Sequence, residues 1–317
     1  MDPTTRRDFL VATAAIITAD LVLETSKILL FNAPWNHKPG KNDLSTIKNG
    51  INLLFGDDLN SGILPGNTNI LRIRSGQFGM SKYVSFAYKQ ACETLRRVTG
   101  RKEIESCDSY DSRLDIENLK NLLIIGGPVA NDFTREICKY NLKRSDNGID
   151  VPIFNEGQTP LASGYYVGNE HGFGYWGNEK RVIRRPNEEG VWREFPLYGL
   201  MIKENGVFRR IEPPIDGDRL LYDMLSIIRV PNPYHKEDGT VTIIGGMHGY
   251  SLQAFFQEML PIGEMNMTDN LKRLEKETTG MKYFQALIPA KIHERGYASI
   301  DWDGGRGDWQ SRIIELH

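Results

Sequence analysis

The sequence predicts an α/β fold: a Rossmann-like, mostly parallel sheet with helices on its faces and an antiparallel β insertion. Short, near-continuous apolar runs bounded by turn residues are typical of strands buried inside a parallel sheet. Two of these runs pass through paired glycines, at 126–127 and 245–246, into segments with helical patterning. The section at 157–212 is instead rich in glycine and aromatic residues, and it contains too many glycines for a helix.

The apolar runs give the positions of the predicted strands. Buried strands are expected at 27–31, 51–55, 70–73, 122–125 and 241–244, with a further strand at 220–230. Because several runs are followed by a turn and a helix-like segment, they are expected to lie parallel to one another in one sheet.

Apolar residues at spacings of three and four predict the helices. These are expected at 80–99, 131–140, 251–260 and 268–279. Short polar side chains suit the N-cap positions, namely Asn131 or Asp132, Ser251 and Thr268. Gly280 is expected to end the last helix.

The middle of the chain predicts antiparallel hairpins. Asn205-Gly206 lies between two apolar runs and is a strong type I′ turn signal, because both central positions of that turn need positive φ; 187–190 is a weaker one. The aromatic residues flanked by glycine suit a flap over a ligand, or they pack against each other. The predicted organisation is a leader-like 1–25, a first α/β half at 26–156, the insertion at 157–215 and a second α/β half at 216–317.

Composition excludes several classes of protein. An apolar fraction of 40% and a charged fraction of 25% are typical of globular chains and argue against disorder. The net charge of −2 contains no long block of one sign, so nucleic acid is not an expected partner. The three cysteines, Cys92, Cys107 and Cys138, are too widely spaced for a disulfide framework or a closed zinc site. At least one is expected to be a small buried apolar residue, and a Cys92–Cys107 bridge is possible if the protein is exported.

The N-terminus suggests export. Residues 5–10, Thr-Arg-Arg-Asp-Phe-Leu, resemble the twin-arginine export signal, and a mildly apolar stretch follows at 10–19. Ten residues cannot cross a hydrocarbon core that needs about 20, so no transmembrane helix is expected. The resemblance implies a protein that reaches the periplasm or cell exterior already folded. The alternative is an amphipathic first helix on a cytoplasmic protein.

Three loops that follow predicted strands are candidate ligand sites. They lie at 56–60, 126–131 and 245–250, and parallel strands would bring them to one carboxyl edge, where open α/β proteins bind ligands. Backbone N–H groups at a helix start favour a phosphate or carboxylate there. The expected ligand-binding residues are Gly126, Gly127, Asn131, Gly245, Gly246 and Tyr250. Neither nucleotide fingerprint, GxGxxG or GxxxxGK[ST], is present, and the glycines also suit plain tight turns.

The candidate acid/base residues are His248, Asp57 and Asp58. A histidine beside glycine in such a loop is accessible and titrates near neutrality. The adjacent carboxylates of Asp57 and Asp58 suit a base, a metal or a ribose hydroxyl, or else a solvated turn. The chain has no GxSxG, HExxH or clustered Cys/His pair, so no metal site is predicted and no motif names a cofactor.

Several short motifs occur together in the order IIGGPVAN at 124–131, LYGLMI at 197–202 or LYDMLSI at 221–227, VPNP at 230–233 and TIIGGMHGY at 242–250. This order resembles a Rossmann-like module of archaeal surface-layer proteins. The resemblance implies an envelope or binding module without established catalytic residues.

The favoured function is an exported, non-catalytic binding module for a small anionic or nucleotide-like ligand, held by Gly127, Asn131, Gly246 and His248. One alternative is a hydrolase of a glycosidic or phosphate bond, with His248 and Asp57 or Asp58 as acid and base. Another is a structural or assembly protein of the cell envelope, as the surface-layer resemblance implies. The sequence fixes neither the ligand nor the oligomeric state.

Overall fold

The computed structural model describes fourteen ranges or single residues between 61 and 316. The described residues are 61–65, 93, 120–127, 131–138, 140–144, 150–154, 172–186, 192–204, 207–235, 239–261, 268–294, 297–304, 307 and 309–316. They all belong to one compact unit, Asp43–His317. The leader and the strands expected at 27–31, 51–55 and 70–73 lie outside the described residues. Of the helix expected at 80–99 only Glu93 is described, in helical conformation.

Strands dominate the described residues. The strands are β1 (Ser61–Pro65), β2 (Asn121–Ile125), β3 (Tyr140–Arg144), β4 (Asp150–Phe154), β5 (Gly172–Pro186), β6 (Trp192–Glu204), β7 (Val207–Ile211), β8 (Ile215–Asp216), β9 (Arg219–Leu220), β10 (Tyr222–Pro231), β11 (Thr240–Gly246), β12 (Phe284–Ile292), β13 (Ala298–Ile300) and β14 (Arg312–Glu315). The helices are α1 (Asp132–Cys138), α2 (Tyr250–Ala254), a π-helical turn (Phe255–Met259) that continues α2, and α3 (Asp269–Glu277).

The main sheet has seven strands in the order β1-β2-β11-β10-β12-β13, with β14 also paired to β12. Only the β1–β2 and β2–β11 pairs are parallel. The pairs of β10 with β11 and β12, and of β12 with β13 and β14, are antiparallel. The predicted Rossmann-like, mostly parallel α/β fold is therefore wrong, because the described part is a strand-rich mixed sheet with few helices.

Burial on both faces explains the apolar runs that suggested parallel strands. Leu123 and Ile125 of β2 face a core formed with α2, the π-helical turn and α3. Leu122 and Ile124 face the opposite core, which α1 and β6 cover. A strand buried on both faces has a near-continuous apolar sequence whichever direction its neighbours run, so the pattern reports burial and not strand direction.

The second sheet has five strands in the order β7-β6-β5-β9-β8. The β5–β6 and β6–β7 pairs are antiparallel, as predicted, with β6 and β7 joined at the expected hairpin. The turn residues Asn205 and Gly206 lie outside the described residues. Tyr198, Leu200 and Ile202 of β6 pack in the same core as residues of β2, β10 and β11, so this sheet covers one face of the main sheet. β3 and β4 form a separate two-stranded sheet.

Two of the three predicted helix starts are confirmed. Asn131 precedes α1, and its side-chain oxygen accepts hydrogen bonds from the first turn. The hydroxyl of Thr268 accepts from Leu271 N at 3.2 Å at the start of α3. Ser251 is not the N-cap of α2, because Gly249 holds that position with φ 88°, a left-handed conformation that glycine adopts without steric cost.

The thiol of Cys138 fits the expectation of a small buried apolar residue. It lies in the core at the end of α1, and burial raises its pKa to about 12. Cys92 and Cys107 lie outside the described residues. Within the described ranges, no helix has both the length and the apolar character needed to span a bilayer.

Candidate functional site

The two glycine-paired turns lie side by side, because β2 and β11 are neighbouring parallel strands. The amide of Gly126 donates to Ile244 O at 2.8 Å. A Cβ added to Gly245 would lie 3.1 Å from the Cα of Gly127, and one added to Gly127 would lie 3.1 Å from Gly246 O. These glycines therefore allow two backbones to touch. Asp57 and Asp58, expected at the same edge, lie outside the described residues.

The side chain of Asn131 is used inside its own turn. Its oxygen accepts hydrogen bonds from Phe133 N at 2.9 Å and Thr134 N at 3.3 Å, and its nitrogen donates to Ile125 O at 3.3 Å. The residue is fully buried. Asn131 thus joins the end of β2 to the start of α1.

A buried carboxylate lies beside the second turn. Asp223, near the start of β10, has no exposed surface. Its Oδ1 accepts from Met224 N at 2.8 Å and His248 N at 3.1 Å, and its Oδ2 accepts from Ser251 N and Ser251 Oγ, both at 2.9 Å. We call Asp223, Gly246, His248 and Ser251 the Asp223 corner.

The Asp223 corner lies at the edge where the sequence predicted an anion site. The backbone N–H groups of 248 and 251 do donate to a carboxyl group, but that group belongs to Asp223 of the chain itself. Burial raises the pKa of Asp223, and the hydrogen bonds from Ser251, Met224 and His248 lower it, with burial the larger effect. The donors expected to hold a ligand at this turn thus have an internal partner.

The remaining predicted residues of this turn are also buried. The His248 side chain is 4% exposed and its ring lies against Tyr198, with centroids 5.1 Å apart. Tyr250 is buried in a separate apolar cluster with Ile183 and Leu197. A Cβ added to Gly246 would collide with Ser251 Oγ. His248 therefore sits between the main sheet and β6, and not in an open crevice.

An open cleft of 340 Å³ lies elsewhere, beside α3 and the segment after β13. We call it the Trp302 cleft, and its described lining includes Arg273, Glu277, Trp302, Asp303, Gln310 and Ser311. None of these residues was predicted as functional from the sequence.

Arg273 is the central group of the Trp302 cleft. Its guanidinium carbon lies 5.0 Å from the centroid of the Trp302 ring, a cation–π distance. Nη1 and Nη2 donate to the two oxygens of Asp303 at 3.0 and 2.8 Å, and Nε lies 3.8 Å from Glu277 Oε1. The hydrogen bond from Arg273 lowers the pKa of Asp303, and the same bond raises the pKa of Arg273.

A chain of hydrogen bonds fixes Trp302 from behind. Trp302 Nε1 donates to Asn270 Oδ1 at 3.0 Å, and Asn270 Nδ2 donates to Glu258 Oε2 at 3.4 Å. The same oxygen of Glu258 accepts from Ile300 N at 2.8 Å, and partial burial raises the pKa of this carboxyl. Glu258 lies in the π-helical turn, a rare geometry that is frequent at functional sites.

The sequence contains faint signals for the residues that were missed. Asp223 is a single carboxylate within an apolar run, and a buried carboxylate needs several donors nearby. Trp302 lies within Asp-Trp-Asp-Gly-Gly at 301–305, a dense group of polar, aromatic and turn residues. The contact between Arg273 and Asp303 joins residues 30 positions apart, and nothing local indicates it.

The described residues include no group of three or more His, Cys, Asp and Glu side chains placed to hold a metal ion. No protein-family model, curated protein or solved structure matches the chain.

Proposed function

We propose that the protein is a non-catalytic module that binds a small ligand through an anionic group, and that the Trp302 cleft is its binding site. The observation that carries this proposal is the guanidinium of Arg273, which stands on the wall of the cleft and offers both terminal nitrogens to one carboxylate. This planar fork matches carboxylate and phosphate oxygens in a bidentate manner.

Arg273 is held in place independently of Asp303. Its guanidinium lies over Trp302, whose indole is fixed through Asn270, and Glu277 lies one helical turn further along α3. A cation held this way loses little conformational freedom when a ligand arrives. The arginine is therefore arranged for binding before any ligand is present.

Asp303 is the part of the contact that an incoming anion would replace. Its side chain is 83% exposed, against 38% for Arg273. Exposed ion pairs contribute little to stability, since water solvates the separated charges well. Exchange of this carboxylate for that of a ligand is therefore inexpensive.

The size of the cleft favours a small ligand. Its volume of 340 Å³ is near the lower end of the range of about 300–1,000 Å³ that is typical of small-molecule pockets. This supports the small anionic ligand more than the nucleotide-like one.

Binding is tested by isothermal titration calorimetry at low ionic strength with sodium acetate and inorganic phosphate. Wild type should bind at least one of them, and Arg273→Ala should remove that binding. Lys272→Ala is the matched control, because Lys272 is the neighbouring cation on α3 and lies outside the cleft lining. Equal binding by wild type and Arg273→Ala would refute the site.

Export is the second part of the proposal, and its support is the twin-arginine-like start at 5–10. Residues 1–25 fused to a reporter that is active only after folded export should deliver it across the membrane. The double variant Arg6→Lys, Arg7→Lys should abolish delivery, since such signals require the arginine pair. Delivery that persists in the double variant would contradict this route.

The hydrolase alternative stays a prediction, because it needs His248 to meet Asp57 or Asp58.

A further inference from the structure

We infer that the ligand of the Trp302 cleft is a small zwitterion, whose carboxylate binds Arg273 and whose ammonium binds Glu277 and the displaced Asp303. This inference rests on the proposed function, because it names the class of ligand that the same cleft binds.

The charge of the cleft is the first argument. Its described lining residues include one cation, Arg273, and two carboxylates, Glu277 and Asp303. A ligand that carries only negative charge would add a third carboxylate or a phosphate to one guanidinium, and like charges at close range repel. A zwitterion brings its own cation, so it leaves the net charge of the cleft unchanged.

The geometry around Arg273 is the second argument. Glu277 Oε1 lies 3.8 Å from Nε, within ion-pair range but too far for a hydrogen bond. Asp303 occupies the terminal fork of the guanidinium, with its two oxygens 3.0 Å from Nη1 and 2.8 Å from Nη2. A carboxylate that replaced Asp303 on this fork would thus have Glu277 to one side, within reach of an ammonium a few bonds away.

The face of Trp302 supports the same orientation. Arg273 lies over one face of the indole ring at a cation–π distance, and Trp302 is only 8% exposed, so little ring surface is open to a ligand cation. The ammonium is therefore directed to the carboxylates.

The test compares probes that differ by one charged group. Glycine and alanine carry both groups, acetate and propionate lack the ammonium, and methylamine and ethylamine lack the carboxylate. By calorimetry at low ionic strength and pH 7, the amino acids should bind wild type up to about fivefold more tightly than the matched acids, because the ammonium adds a solvent-exposed ion pair. The amines alone should also bind more weakly than the amino acids.

Substitutions separate the two ends of the ligand. Glu277→Gln should weaken alanine binding and leave propionate binding equal or stronger, so that the preference for alanine falls severalfold. Glu275→Gln, on the same helix and outside the cleft lining, is the matched control and should change neither. Arg273→Lys should weaken both, since an ammonium cannot reproduce the fork. Unchanged melting temperatures show that each variant is folded.

The outcomes distinguish the inference from the proposed function. Propionate that binds as tightly as alanine, or a preference that Glu277→Gln leaves intact, overturns the zwitterion and keeps the anion site. Binding of none of the probes to wild type overturns both.

Discussion

The Asp223 corner and the Trp302 cleft are each built around one aspartate, yet they differ in what surrounds the carboxylate. Asp223 is fully buried and accepts four hydrogen bonds from backbone amides and one serine. Asp303 is 83% exposed and is held by a single arginine. The first carboxylate is a fixed part of the fold, and the second is a replaceable partner. A group suited to ligand exchange is thus recognised by its access to water and not by the number of its donors.

Removal of the buried carboxylate should have the largest effect. Asp223→Ala leaves the amides of 224, 248 and 251 and the hydroxyl of Ser251 without their acceptor. Buried donors without partners cost about 1–3 kcal/mol each, and partial hydration offsets some of this. We expect a loss of about 3–5 kcal/mol in unfolding free energy, measured by urea denaturation. Asp216→Ala, at an exposed acid of β8, should stay within about 0.5 kcal/mol of wild type.

The pH dependence of stability shows which effect on the pKa of Asp223 is larger, that of burial or that of its hydrogen-bond donors. Burial raises its folded pKa above the unfolded value of 3.8, so its contribution to stability is complete below that value and is lost as pH rises through the folded pKa. The stability advantage of wild type over the non-titrating Asp223→Asn should therefore fall as pH rises above 3.8, measured by urea denaturation at each pH. An advantage that grows with pH would show that the four hydrogen bonds outweigh burial.

The close packing of the Asp223 corner predicts an intermediate effect. Gly246→Ala should lower the unfolding free energy by about 2 kcal/mol, because the added methyl group collides with Ser251 Oγ. Ser251→Ala alone should cost about 1 kcal/mol through its lost hydrogen bond to Asp223. The double variant should cost clearly less than the sum, since it removes the colliding atom. Additive losses would mean that the methyl group is strained by another neighbour.

The Trp302 cleft should show the smallest effect on stability. Arg273→Ala removes an exposed ion pair and a cation–π contact, and we expect a midpoint of urea unfolding close to that of Lys272→Ala. The same variant should lose ligand binding completely. A large loss of stability would show that Arg273, like Asp223, is a fixed part of the fold.

Local signals in the sequence predicted many of the elements but not their arrangement. Strands were predicted at 122–125 and 241–244, within the observed 121–125 and 240–246, and helix α3 was predicted after Thr268. Apolar runs and capping residues act over a few positions, so the sequence shows them. The antiparallel pairing of β10 was not predicted, because two-sided burial gives the same apolar sequence for parallel and antiparallel strands, and β12 was not predicted as a strand.

The candidate sites were predicted only in part. The two glycine turns were correctly identified as strand ends. They lie next to each other because β2 pairs with β11. The carboxyl group of Asp223 lies at the position where an anionic ligand was expected. It reaches that position because β10 runs antiparallel to β11, which brings Asp223 to the end of β11. The Trp302 cleft depends on a contact between α3 and a distant loop, for which no local pattern exists.

β11 is an interior strand of the main sheet. This strand is hydrogen-bonded to β2 on one side and to β10 on the other, and its residues Val241 to Ile244 are shielded from water on both faces. Deuterium can reach its amides only when neighbouring strands separate as well, so isotope uptake there reports on cooperative unfolding and not on local breathing.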